Sequence, residues 1–109
     1  MMAAHPEIQA ICNWGDSMAL GTLEVIRSKG IDESQFAIIS VDGTKEACEE
    51  IAAGSALIMS CSLGGPVEQG LAQVDIMRAY LEGTNEDLYY SPNEAVTKAN
   101  VEEYMASLS

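Results

Sequence analysis

The chain has 109 residues, 48% of them hydrophobic and 20% charged, a composition that excludes a disordered segment and fits one α/β domain with a core of its own. Seventeen acids against five bases give a formal charge of −12, which repels phosphate backbones and anionic head groups and argues against nucleic-acid or membrane-surface binding. No apolar run is long enough to span a bilayer, and the stretch from Met1 to Pro6 lacks the basic and apolar regions of a signal peptide, so neither is expected in this chain.

Pro6 stops whatever precedes it, and Ile8 to Cys12 forms a short apolar run bounded by Asn13-Trp14-Gly15-Asp16, as in a buried strand that ends in a turn. Asp16 stands where a helix cap belongs. Behind it Ala19, Leu20, Leu23 and Ile26 recur at three- and four-residue spacing, and Gly30 suits a left-handed C-terminal cap. Gly21, unfavourable inside a helix, is expected to allow close approach to a strand. Phe36 to Val41 is the continuous apolar run of a parallel strand and ends at Asp42-Gly43. Thr44 can cap a second helix, with Ala47, Cys48 and Ile51 facing inward and Gly54 closing it, and Ser55 to Ser60 supplies a third strand.

After Ser62-Leu63-Gly64-Gly65, Pro66 takes the first position of a helix whose apolar face is Gly70, Leu71, Val74, Met77 and Leu81 and whose end is Gly83. A short strand is expected around Leu88-Tyr89-Tyr90, and a last helix capped by Asn100 with Glu103 three residues on. Strand, helix, strand, helix, strand, helix predicts right-handed crossovers and an α/β fold, a three-layer parallel sheet flanked by helices. Three main strands are few for that architecture, so the unit reads as incomplete.

In an open parallel sheet, ligands bind beyond the carboxyl ends of the strands. Those ends are Asn13-Trp14-Gly15-Asp16, Asp42-Gly43-Thr44 and Ser60-Cys61-Ser62. The set suits an uncharged polyol: Asp42 accepts hydroxyl hydrogen bonds, Ser62 and Asn13 add donors and acceptors, and Trp14 stacks on a ring. Plainer roles compete with these. Asp42-Gly43 can simply shape a turn, and Trp14 can simply pack. The single histidine, His5, lies near the chain start, so a Cys/His or Ser/His pair has no firm base and no enzyme is expected. Gly64-Gly65 lacks the lysine and hydroxyl of a phosphate loop, and its place ahead of Pro66 suits the start of a helix. No acidic or histidine pattern implies a metal, and no cofactor is expected. Cys12, Cys48 and Cys61, an odd number inside apolar runs, read as buried thiols.

Taken in order, Ala4-His5-Pro6-Glu7-Ile8-Gln9-Ala10-Ile11, Asp16-Ser17-Met18-Ala19-Leu20-Gly21 and Val41-Asp42-Gly43-Thr44 resemble the C-terminal part of ribose-binding-type solute-binding proteins of ABC importers. Gln69-Gly70, Leu81-Glu82-Gly83 and Val96 to Val101 continue the likeness. It covers almost the whole chain but only about the last third of a family member.

The resemblance implies a sugar clamp of two α/β lobes that close by hinge bending. It implies that residues 1–62 form part of the C-terminal lobe, that 63–90 carry a helix packing on the other lobe, and that 91–109 return to the first. Asp42 matches the sugar-binding acid at a strand end. Gly15 falls where many members have a sugar-contacting asparagine, a contact then lost or moved to Asn13 or Trp14. Around Ser62 the family's glutamine is replaced and the loop is longer. The implied partners are a sugar and, for a full-length parent, a transporter permease; the implied place is periplasmic or extracellular. Exposed apolar helix faces would favour self-association of the chain alone. The alternatives are the effector lobe of a LacI-like regulator, a flavodoxin- or receiver-like signalling domain, and a structural module.

Overall fold

A computed structural model describes residues 4–84 and 93–108. Strands β1 (Ala10–Cys12), β2 (Ala37–Asp42) and β3 (Leu57–Ser62) pair in parallel, and β4 (Glu94–Thr97) closes the edge antiparallel to β3, in the order β1-β2-β3-β4. Helices α1 (Asp16–Ser28) and α2 (Lys45–Ala53) make the two crossovers. Because the strands follow one another in a single direction across the sheet, right-handed crossovers place both helices on the same face. They touch each other there, and α4 (Val101–Ser107) packs beside α2.

Under these helices lies the core of Ala19, Leu23, Ile26, Phe36, Ile38, Ala47, Cys48, Ile51, Leu57, Val96 and Val101. Of the inward positions expected from the spacing, Ala19, Leu23 and Ile26 of α1 and Ala47, Cys48 and Ile51 of α2 are buried, while Leu20 is half-buried against the core. Caps behave as expected at α2, where Thr44 Oγ1 accepts from Ala47 N and Gly54 adopts the left-handed conformation. The opposite face of the sheet carries Ile39, Val41, Met59 and Cys61, half-buried, and none of these three helices covers it.

Register shifts in the β2–β3 pair, where Ile38 pairs with Leu57 but Ile39 pairs with Met59. The extra residue, Ile58, is half exposed. A bulge of this kind inverts the facing of every later residue in its strand. Leu57 therefore points into the core, and so do Ser60 and Ser62, which unbroken alternation would have turned outward. The third strand runs two residues beyond the expected Ser55–Ser60.

Helix α3 (Pro66–Glu82) starts at Pro66 and ends at a left-handed Gly83, as expected. None of its residues is buried. Val67, Leu71, Val74, Met77, Tyr80 and Leu81 are all more than half exposed, so this apolar face has no cover among the described residues. The strand expected around Leu88-Tyr89-Tyr90 lies outside the described residues.

Several local expectations are corrected. A Cβ at Gly21 would meet nothing within 4 Å, so this glycine mediates no close strand approach. Cys12 is exposed and Cys61 half-buried, because they lie on the uncovered sheet face; only Cys48 is a buried thiol. Asn100 does not cap α4 through its side chain. Its Oδ1 accepts from Thr97 N at 2.8 Å and closes the turn after β4 instead.

Candidate functional site

The carboxyl ends of β1, β2 and β3 meet at one edge of the sheet, and a buried carboxylate organises them. Asp16 is not the cap of α1. Gly15 occupies that position, and Asp16 is the first helical residue, fully buried. Its Oδ1 accepts from Ser40 Oγ at 2.5 Å and Ser60 Oγ at 2.7 Å, and its Oδ2 from Thr44 N at 2.7 Å and Thr44 Oγ1 at 2.9 Å. Four donors fill the four lone-pair sites of a carboxylate. A buried charge is tolerable on these terms, since its hydrogen bonds replace its hydration. Burial, together with this carboxylate, pushes the nearby Cys48 thiol up to about 11.

Asp42 is exposed and ends β2 at φ 124°, a left-handed region that non-glycine residues seldom occupy. Strain of this kind persists only where the surroundings over-determine it. Here Asp16 N donates to Asp42 Oδ2 at 3.2 Å and places the carboxylate over the first turn of α1, a favourable place for negative charge. The other oxygen, Oδ1, has no hydrogen-bond partner among the described residues.

Gly43 follows with φ 72° and is clamped from both sides. Its N–H donates to Ser60 Oγ at 3.0 Å, and its carbonyl accepts from Tyr104 Oη at 3.1 Å. A Cβ at this position would lie 2.5 Å from Tyr104 Oη, so the tight fit requires glycine.

The other expected site residues are placed as follows. Trp14 is 88% exposed on the same rim, so packing among the described residues leaves most of its ring in solvent. Gly15 leaves room for Asp42: a Cβ there would stand 3.0 Å from Asp42 Oδ2. Asn13 turns toward α1, where its Oδ1 accepts from Thr22 Oγ1 at 3.3 Å, while its buried Nδ2 has no partner among the described residues. Ser62 is buried at the β3 end, with its Oγ 2.7 Å from Tyr104 Oη and 3.1 Å from Gly64 N. Asp42, Gly15 and Trp14 therefore share the exposed rim, and Asn13 and Ser62 lie beneath it.

Ser40 and Tyr104 were not expected at the site, and Asp16 and Ser60, expected at strand ends, were not expected as its buried supports. Serines inside apolar strand runs were the available signal, because a buried hydroxyl needs a partner. A cleft of about 550 Å³ adjoins this end of the sheet, between Ser62–Glu68, Asn93–Glu94 and the end of α4. No group of three or more candidate metal ligands occurs among the described residues. No described helix is long and apolar enough to cross a membrane.

No family model matches the chain. Over 51 residues, 47% of its length, it is 43% identical to the ribose import binding protein of Bacillus subtilis, and this stretch is 16% of that protein. A solute-binding protein of an ABC transporter from Bacillus halodurans, solved with bound myo-inositol, is 29% identical, with a TM-score of 0.75 over 96% of this chain and 36% of that one. An Agrobacterium vitis solute-binding protein with bound allitol shares the fold at 23% identity and a TM-score of 0.81, covering 98% of this chain and 38% of that one. The periplasmic ribose ABC transporter protein of Conexibacter woesei does so at 23% and 0.77, covering 96% and 35%. The chain thus spans little more than a third of the solved relatives. In sequence and fold it is similar to the solute-binding proteins of ribose-type ABC sugar transporters, and its sheet and helices are a part of their periplasmic-binding-protein-like fold.

Proposed function

We propose that this chain forms one wall of a binding site for an uncharged monosaccharide or polyol, within the solute-binding component of an ABC sugar importer. The observation that carries the reading is Asp42: an exposed carboxylate in a strained backbone, one oxygen fixed by Asp16 N and the other free to accept. A carboxylate so held selects ligands that donate, which hydroxyl-rich molecules do and phosphates or carboxylates at neutral pH do not. Trp14 on the same rim offers a stacking surface of the kind sugar rings use. Binding, not chemistry, is the activity.

The division of the chain belongs to the same proposal. Residues 1–62 form part of one lobe, and the arm of α3 reaches toward a second lobe that supplies the other wall. Residues 91–109 return to the first lobe, as β4 and α4 do on this sheet. Two points support the division: α3 has no buried residue, and β4 pairs with β3. Such a protein works outside the cytoplasmic membrane and hands its sugar to a permease. Taken alone, the chain presents the apolar face of α3 to a second copy at high concentration.

The test is a titration of the ¹⁵N-labelled chain with ribose, myo-inositol, allitol and glycerol, beside inorganic phosphate. Half of a clamp is expected to bind in the millimolar range. Amide shifts at Gly15, Asp42 and Gly43 with a neutral polyol, lost in Asp42→Ala and absent with the phosphate, support the reading. Absence of shifts with every neutral compound overturns it.

A further inference from the structure

Proton arithmetic at Tyr104 gives its hydroxyl a direction. Tyr104 is buried, and its one proton goes to the Gly43 carbonyl at 3.1 Å. The 2.7 Å contact with Ser62 must then be donated by Ser62 Oγ to Tyr104 Oη. Ser62 Oγ keeps a lone pair, which accepts from Gly64 N at 3.1 Å. The result is an ordered relay: Gly64 N–H to Ser62 O–H, to Tyr104 O–H, to Gly43 C=O. Each link polarises the next, so a chain of this sort is stiffer than separate bonds.

The relay adds a side-chain link between two parts of the molecule that the β2–β3 pairing already brings side by side. One end is the peptide that follows Asp42 in the strained turn. The other end is the Gly64 amide, two residues beyond the end of β3 and one before Gly65, the cap of α3. Ser62 also lies opposite Asp42 in the β2–β3 register. On the sheet side, the N–H of the same Gly43 is held through Ser60 to Asp16. Tyr104 thereby holds the carbonyl of this glycine, while Asp16 reaches its N–H through Ser60.

We propose that Tyr104 is a positioning residue for the Asp42 site: through Ser62 its hydroxyl ties the ligand turn to the base of α3, so that occupancy at Asp42 and the setting of the 62–65 segment are coupled. This rests on the polyol reading of Asp42. It extends that reading by naming a residue that touches no ligand yet controls the site and its link to the α3 arm.

Tyr104→Phe removes the hydroxyl and keeps the ring. Amide exchange is followed at Gly43 and Gly64 relative to core amides such as Ile38, and the myo-inositol shift at Asp42 is titrated in parallel. Val101→Ala, which weakens the same helix by deleting buried methyls without touching the relay, is the control. Tyr104→Phe is expected to speed Gly64 exchange by about tenfold relative to Ile38, across some forty residues of sequence, and to weaken myo-inositol by a similar factor. Ser62→Ala is expected to do the same, and the double variant to do little more than either alone. Unchanged Gly64 exchange in Tyr104→Phe, or an equal relative rise in Val101→Ala, overturns the relay. Faster exchange with unchanged myo-inositol affinity overturns the positioning role. A wild-type chain with no shift for ribose, myo-inositol, allitol or glycerol defeats the binding reading, and the exchange arm still decides the relay.

Discussion

Asp16 and Asp42 are joined by one hydrogen bond in which the backbone of the first holds the side chain of the second: Asp16 N donates to Asp42 Oδ2 at 3.2 Å. The carboxylate of Asp16 is meanwhile turned inward to Ser40, Ser60 and Thr44. One residue thus supports the site with its amide and the core with its carboxylate, and substitution separates the two roles.

Asp16→Ala keeps the amide and deletes the carboxylate. Two serine hydroxyls and the Thr44 N–H and hydroxyl lose their acceptor in a buried place. Loss of stability of about 3 kcal/mol or more is expected, since bonds to a charged group are among the stronger ones and the orphaned donors add their desolvation. Urea denaturation followed by circular dichroism measures it; a loss below about 1 kcal/mol would contradict the hub.

Gly15→Ala is the converse experiment. The residue is extended, at φ −154°, so alanine is tolerated by the backbone. Its Cβ would nevertheless stand 3.0 Å from Asp42 Oδ2 and push the carboxylate aside. Polyol binding is expected to fall about tenfold or more while stability changes by less than about 1 kcal/mol. Titration and thermal melting on the same sample separate the two effects.

Acid sensitivity should have an identifiable surface contribution. Arg27 donates to Glu33 at 2.9 Å and to both oxygens of Glu50 at 2.8 and 3.0 Å. The Arg27 guanidinium holds both carboxyls below their usual value of 4.5, and at Glu33 the Ala56 N–H adds to it. A folded value below the unfolded one means stability that is present above about pH 4.5 and lost as the pH falls through the folded values. The three side chains are a quarter to a third exposed or slightly more, so screening limits the contribution to about 1 kcal/mol. Melting curves from pH 6 down to about pH 3 should therefore fall less steeply in Arg27→Met than in the wild type.

The three thiols should separate by rate. Cys12 is exposed, Cys61 half-buried and Cys48 buried with its thiol pushed up to about 11. An aromatic disulfide reagent at neutral pH is expected to modify Cys12 first, Cys61 more slowly and Cys48 only on unfolding. Peptide mapping after timed quenching gives the order, and early labelling of Cys48 would contradict the packing beneath α2.

The parallel sheet, the three long helices and the place of Asp42 were legible because each rests on a local pattern: apolar runs between turn residues, three- and four-residue spacing, and glycines at helix ends. Asp16 was misread because an acid ahead of a periodic stretch looks the same whether it caps the helix or ties two strands to the start of α2. The bulge at Ile58 left no local mark, and without it Ser60 and Ser62 would have been assigned to the other face. Tyr104 was invisible for a different reason. Its partners lie 42 and 61 residues upstream, brought near by an antiparallel strand whose four residues carry little pattern.

That antiparallel return also sets an order in time. A chain made from its N-terminus has β1, β2, β3 and Asp42 itself available long before residue 104 emerges, yet the Gly43 carbonyl waits for Tyr104 to receive its donor. Contacts over such separations form late, because loop closure must come first. The Asp42–Gly43 turn is therefore among the last parts of this sheet to reach its final shape, and on the proposed reading polyol binding should lag behind secondary structure when the denatured chain refolds.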